Sequence, residues 1–335
     1  MNQAKTFAAA KHSHQNGARQ IHSTINSSLA SIALPLLLFI VLVPFTAQAQ
    51  SVAAAARGET VQFQSKLIGK TLPYNVYLPS DYSSPATKAT RYPVVYLLHG
   101  HGGHYNIWTP TLLADSATQF HLIIVTPEGN NSWYTDSATT ATDKYETYIL
   151  QEVIPDVERR YRAIAARDGR GIGGLSMGGY GALKFGIKHP EMFAYAASMS
   201  GALDAAAWTE NDLKGYSPAL SNSIMQAFGA AGSQTRAAND IYKMFRELPA
   251  DRIAALPYFY LDCGTEDSLL RFSRKLDETF LTQKIPHEFR ELPGAHNMKY
   301  WSKQIPELLR IAAQKMKAPA AQAANAAPSV NAAAR

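Results

Sequence analysis

A single cysteine, Cys263, stands in a chain of 335 residues. No internal disulfide can form, so the fold has only its core to hold it. The apolar neighbours in PYFYLDCG mark this thiol as an inert buried side chain rather than a nucleophile. Charge is sparse as well, at 17% of residues against 46% hydrophobic. A formal net charge of +6 is too mild to argue for a nucleic-acid partner. Acidic residues are missing altogether from the first fifty positions, where Lys5, Lys11 and Arg19 precede the apolar run SLASIALPLLLFIVLVPF and then TAQAQS. Basic stretch, apolar stretch and A-x-A site predict a secretory signal peptide over residues 1–49, cut after Ala49. The run from Leu29 to Phe45 is about 17 residues and is interrupted by Pro35 and Pro44. That is short for a bilayer span, so no stable membrane anchor is expected after cleavage. Three positive charges leave with the peptide, taking +6 to +3, and the product is expected to be secreted or periplasmic. Internal repeats are absent, and the Ala/Pro/Asn-rich residues 318–335 read as a disordered tail.

Residues 50–317 are left as one catalytic-sized domain. Short apolar runs appear at 61–67, 72–79, 92–100, 121–129, 170–176, 193–201, 257–264 and 287–294. Amphipathic stretches alternate with them at 145–161, 179–190, 268–283 and 297–316. Strands rich in β-branched and aromatic residues, alternating with helices, predict an α/β fold. Its sheet should be mostly parallel and doubly wound, with helices on both faces. The first two strands read as an antiparallel hairpin leading into that sheet. Residues 202–256 break the alternation; they are helical and polar, too long for an ordinary connection, and read as a helical insertion.

Two stretches carry chemistry. HGHGGH (99–104) has the H-x-H-x-x-H spacing of binuclear zinc hydrolases, yet Gly103 stands where such sites carry an aspartate. No metal and no cofactor are therefore expected. The second stretch is Gly174-Leu175-Ser176-Met177-Gly178, a G-x-S-x-G with a strand before it and a helix after. A serine at so sharp a turn takes strained backbone angles, and glycines two residues either side let helix and strand approach. A hydroxyl is a weak nucleophile and needs a base, which in turn needs an orienting carboxylate. In this arrangement they follow in the order serine, acid, histidine. Of His189, His287 and His296, only His296 lies in a loop between the last strand and the last helix. Glu266 and Asp267 both occupy the turn after the preceding strand, and position alone does not separate them; Asp267 could also simply cap the next helix. The N–H of Met177, next after the serine, is one oxyanion donor, and the other should come from the HGHGG turn.

Five blocks together resemble the esterase family of α/β-hydrolases that includes S-formylglutathione hydrolases, feruloyl and short-chain acyl esterases, and bacterial mycolyltransferases. They are YLLHGHGGHYNIW (96–108), PEGNNSWYTDS (127–137), GLSMGGYGALKFGIKHPEMFAYAASMSGALD (174–204), YLDCGTEDSLL (260–270) and GAHNMKYW (294–301). The resemblance implies an α/β-hydrolase fold with Ser176 as nucleophile, Asp267 as acid and His296 as base, Glu266 being held in reserve. It assigns the second oxyanion donor to His101. Trp108 and Trp133 are expected to wall the acyl or alcohol pocket. The implied activity is an exported serine carboxylic ester hydrolase acting through an acyl-enzyme on a small-molecule or carbohydrate-linked ester. The same site could instead pass the acyl group to a sugar or lipid acceptor. A non-catalytic binding protein on the same fold is the third reading.

Overall fold

The computed structural model describes residues 58–321. The expected signal peptide over 1–49 lies outside them, as do residues 322–335 of the expected tail. A hairpin of β1 (Glu59–Gln64) and β2 (Thr71–Tyr77) opens the fold, followed by a two-residue β3 (Thr90–Arg91). The apolar runs then become β4 (Val94–Leu98), β5 (Ile123–Pro127), β6 (Arg170–Leu175), β7 (Tyr195–Met199), β8 (Tyr258–Gly264) and β9 (His287–Leu292). They form one eight-stranded sheet in the order β1-β2-β5-β4-β6-β7-β8-β9, parallel from β5 to β9. A final β10 (Ala320–Ala321) pairs with β3.

Alternation along the central strands sorts the core into two layers. Val94, Tyr96 and Leu98 face one cluster, and Val95 and Leu97 the other. The second cluster receives α1 (Pro110–Phe120) through Leu113 and Ala117. The first receives α2, a continuous run of Tyr145–Tyr148, a π-helical Ile149–Val153 and Ile154–Arg160. It also receives α3 (Met177–Lys188). Residues 202–256 carry three α-helices, α4 (Pro218–Phe228), α5 (Gln234–Asn239) and α6 (Ile241–Arg246), with two short 3-10 turns and no strand. Arg236 ties this insertion together: its buried guanidinium donates to the carbonyls of Ala206 at 2.9 Å and Trp208 at 2.7 Å. Then α7 (Leu270–Gln283) joins the first cluster and α8 (Met298–Lys315) the second. A fully buried aliphatic or aromatic side chain contributes roughly 1.5–3 kcal/mol, so two such layers supply what a disulfide cannot. Among the described residues no helix is long and apolar enough to cross a membrane.

The winding decides where a site can form. From β4 the chain moves outward to β5, then returns to β6 on β4's other side, with Leu98 in register with Gly174. In open α/β sheets the crevice at such a reversal, outside the carboxyl ends of the strands, is where ligands bind. HGHGGH leaves β4 there and Ser176 leaves β6 beside it.

Candidate active site

Ser176 is the single residue between β6 and α3, with φ 54° and ψ −116°. Such angles are costly for any residue with a Cβ, so the turn must be held from outside. The Ser176 N–H donates to Met199 O at 2.9 Å, and its carbonyl accepts from Tyr180 N–H at 3.0 Å and Ala202 N–H at 3.1 Å. The flanking glycines are required sterically. A Cβ on Gly178 would lie 2.0 Å from Leu98 O, and one on Gly174 would lie 2.5 Å from the Gly178 carbonyl. Helix α3 thus starts in direct contact with the end of β4.

His296 Nε2 lies 3.0 Å from Ser176 Oγ, and His296 Nδ1 lies 2.7 Å from Asp267 Oδ2. The other Asp267 oxygen accepts from Leu269 N–H at 2.8 Å. Burial pushes the Asp267 carboxyl up, but the hydrogen bonds from His296 and the Leu269 N–H outweigh it and hold it below the ordinary range. An ionised carboxylate only accepts, which assigns the imidazole proton to Nδ1 and turns the Nε2 lone pair toward the serine hydroxyl. Glu266 is exposed, and only its backbone takes part, donating to Gly294 O at 2.8 Å. Two readings that position left open therefore separate: Asp267 meets the histidine and caps the following turn as well. His189 and His287 face Glu146 and Asp277 instead.

The HGHGGH loop is built by its backbone. His99 Nε2 lies 3.0 Å from Gly129 N and 3.2 Å from Glu128 Oε1, and its Nδ1 lies 2.9 Å from Gly100 O. Both ring nitrogens of His99 are thereby engaged within the fold, and among the described residues no group of three His, Cys, Asp or Glu side chains is arranged to hold a metal ion. Gly102, at φ 74°, donates to Asn131 Oδ1 at 2.7 Å. His104 is largely exposed and its Nδ1 lies 3.2 Å from Glu128 Oε2. The His101 ring sits 6.3 Å from that of Trp133, and burial lowers its pKa, so it is neutral near pH 7. Neither the His101 N–H nor the Met177 N–H has an acceptor among the described residues.

Both tryptophans expected in a pocket wall are buried instead. Trp108 is 2% exposed in the second cluster with Leu113 and Leu175, and Trp133 is 1% exposed. Trp133 is hemmed in by Tyr180, Trp208 and Phe228, and its Nε1 donates to Ser223 Oγ on α4 at 3.0 Å. Sequence reasoning assigned no role to Tyr134, whose hydroxyl donates to His99 O at 3.0 Å while its ring fills the space a Cβ on Gly129 or Gly181 would need. Tyr134 braces the loop against α3. Its φ of 50°, like that of Asn130 and Trp133 beside it, leaves no sequence signal comparable to a glycine. Burial pushes the Cys263 thiol up to about 12, which keeps it unreactive. An open cleft of about 580 Å³ shares Gly102 and His104 with the loop. It continues along Asn130, Asn131, Asn222 and Gln226 and reaches none of Ser176, Asp267 or His296.

A sequence profile for the family described as "Putative esterase" matches residues 65–311. The chain belongs to that esterase family. An esterase of Mycobacterium tuberculosis is 31% identical to it over 70% of this chain and 54% of the relative. The family member described here thus spans about half the length of that relative. An acetyl esterase of Caldicellulosiruptor saccharolyticus is 27% identical over 73% of this chain and 94% of its own. Among solved structures, a ferulic acid esterase superposes with a TM-score of 0.64 at 28% identity, covering 77% of this chain and 98% of that one. The esterase-family chain therefore has the α/β-hydrolase fold, with the hairpin, parallel sheet and two helical layers described above.

Proposed function

We propose that this esterase-family chain is an exported serine carboxylic ester hydrolase working through an acyl-enzyme. What carries the reading is the line Ser176 Oγ, His296 Nε2, His296 Nδ1, Asp267 Oδ2, with steps of 3.0 and 2.7 Å. Ser176 Oγ attacks the ester carbonyl as His296 Nε2 takes its proton. The tetrahedral oxyanion is received by the N–H groups of Met177 and His101, and each such donor is worth roughly 10²–10³ in turnover. Collapse expels the alcohol, which takes the proton back from Nε2. Water, deprotonated by the same nitrogen, then attacks the acyl-serine and frees the acid and Ser176. Asp267 stays ionised throughout and stabilises the imidazolium.

Acetyl and feruloyl groups are the acyl parts named for its relatives. The cleft beside Gly102, lined mostly by amides and hydroxyls with Lys70, His104 and Asp143 also on its wall, suits a hydroxyl-rich alcohol part such as a sugar. Export rests on the basic, apolar and A-x-A order of the first fifty residues.

A fluorophosphonate is expected to stop hydrolysis of p-nitrophenyl acetate at one label per chain, with the added mass mapping to the peptide holding Ser176. Label on another residue, or full activity in the labelled protein, would overturn the reading. Asp267→Asn is expected to lower kcat by about 10⁴-fold, since it favours the wrong imidazole tautomer. Glu266→Gln, changing an exposed side chain, should leave kcat within about twofold; the reverse ranking in steady-state assays would move the acid to Glu266.

A further inference from the structure

The strongest unexplained group outside the Ser-His-Asp line is Asp262, fully buried in the otherwise largely apolar β8. Its Oδ1 accepts from Tyr300 Oη at 2.9 Å, while Oδ2 has no partner among the described residues. A buried carboxyl costs stability that an apolar side chain would not. Burial pushes it up to about 7, and the groups facing it are Tyr300 on α8, Tyr260 on its own strand and Arg290 on β9.

Tyr300 connects this carboxyl to the loop of His296. It sits in the first turn of α8, where its N–H donates to the capping side chain of Asn297 at 3.1 Å. Its side chain packs directly against Gly294: a Cβ there would come within 2.5 Å of Tyr300 Cδ2. On its other side Gly294 meets the turn that carries Asp267. A Cβ on Gly264 would lie 2.1 Å from Gly294 O, and that oxygen accepts from Glu266 N–H at 2.8 Å. The loop from Gly294 to His296 is therefore gripped between the tyrosine ring and the acid's turn. The backbone of Asp262 extends the connection to the nucleophile. Its carbonyl accepts from Ser200 N–H at 2.7 Å, one residue beyond the Met199 carbonyl that holds Ser176 N–H.

We propose that Asp262 and Tyr300 are positioning residues whose buried hydrogen bond clamps the His296 loop onto the Asp267 turn. The inference rests on the hydrolase reading above. The carboxyl need not be charged for this, because only Oδ1 is used, as acceptor.

Tyr300→Phe keeps the ring and removes the donor. Per fluorophosphonate-titrated site it is expected to lose about 10- to 100-fold in kcat with KM within about twofold, as a small misplacement of a base does. Asp262→Asn keeps the acceptor and should hold kcat within about threefold, whereas Asp262→Leu should fall as far as Tyr300→Phe, and the double variant no further. Proton NMR adds a readout independent of turnover. The downfield His296 Nδ1 proton facing Asp267 should shift or broaden in Tyr300→Phe and persist in Asp262→Asn. Wild-type kcat and an unmoved Nδ1 proton in Tyr300→Phe would overturn the clamp, as would Asp262→Asn failing as badly as Asp262→Leu. A Ser176→Ala protein that still hydrolyses esters would sink the hydrolase reading instead, and the Nδ1 signal would still decide the clamp.

Discussion

Ser176→Ala is expected to lower kcat for p-nitrophenyl acetate by about 10⁶-fold, and by no less than about a thousandfold, because the members of such a line act as a unit. Once the hydroxyl is gone, His296 Nε2 has no proton to take, and only the N–H donors and substrate binding are left to accelerate reaction with water. The fold should be untouched: the Ser176 backbone keeps its bonds to Met199, Tyr180 and Ala202, none of which uses the hydroxyl. Near-ultraviolet circular dichroism and the unfolding midpoint should match wild type. A second substitution tests the turn itself. At φ 54° alanine keeps the strain that serine bears, whereas glycine does not. Strain of this kind costs about 1–3 kcal/mol, and the extra freedom of unfolded glycine returns roughly 0.4–1 kcal/mol of that. Ser176→Gly should therefore be inactive yet more stable than Ser176→Ala by about 1 kcal/mol in urea unfolding. Equal midpoints for the two variants would mean the turn is unstrained, and residual turnover above a thousandth of wild type would remove Ser176 from the chemistry.

The parts legible in the sequence are those where one local rule dominates. Runs such as VVYLL and PYFYL are apolar because both sheet faces are covered, and they became β4 and most of β8. G-x-S-x-G was readable because two glycines are forced by backbone contacts that any Cβ would violate. Helix α1 was harder: TLLADSATQF buries only Leu113, Ser116 and Ala117, a face too thin to show as a period. Side-chain direction in turns was not legible at all. Glu266 and Asp267 are adjacent, and what separates them is the hydrogen bond from Leu269 N–H that aims the second Asp267 oxygen at His296. Trp133 is apolar and near the motif, which suggested a pocket wall; its burial depends on Tyr180, Trp208 and Phe228, which come from distant segments. The role of Asp262 was not legible because nothing local reveals that Tyr300, thirty-eight residues on, comes to meet it.

Gly178→Ala should be the most destructive glycine-to-alanine change among the described residues, costing more than about 4 kcal/mol, the range reserved for gross steric conflict. Its Cβ would sit 2.0 Å from Leu98 O, 2.5 Å from Leu98 C and 2.7 Å from His99 O. All three are backbone atoms, so no rotamer change relieves the contact. Nor can the backbone withdraw: Leu98 is fully buried and in register with Gly174 on the next strand, while α3 is fixed by the Ser176 turn. Gly69→Ala provides the comparison. Gly69 also has a positive φ, 73°, but a Cβ there meets nothing within 4 Å, so the cost should be about 1 kcal/mol. Urea unfolding of the two proteins should separate them by several kcal/mol, or Gly178→Ala should fail to accumulate in soluble form while Gly69→Ala does. Comparable midpoints would show that α3 can back away from β4. Any Gly178→Ala protein that does fold must push Leu98 aside and carry the His99–Gly103 loop with it, so the His101 N–H moves away from the proposed oxyanion position. Its kcat should then fall by roughly 10²–10³, as for a lost oxyanion donor, with Ser176 and His296 both still in place.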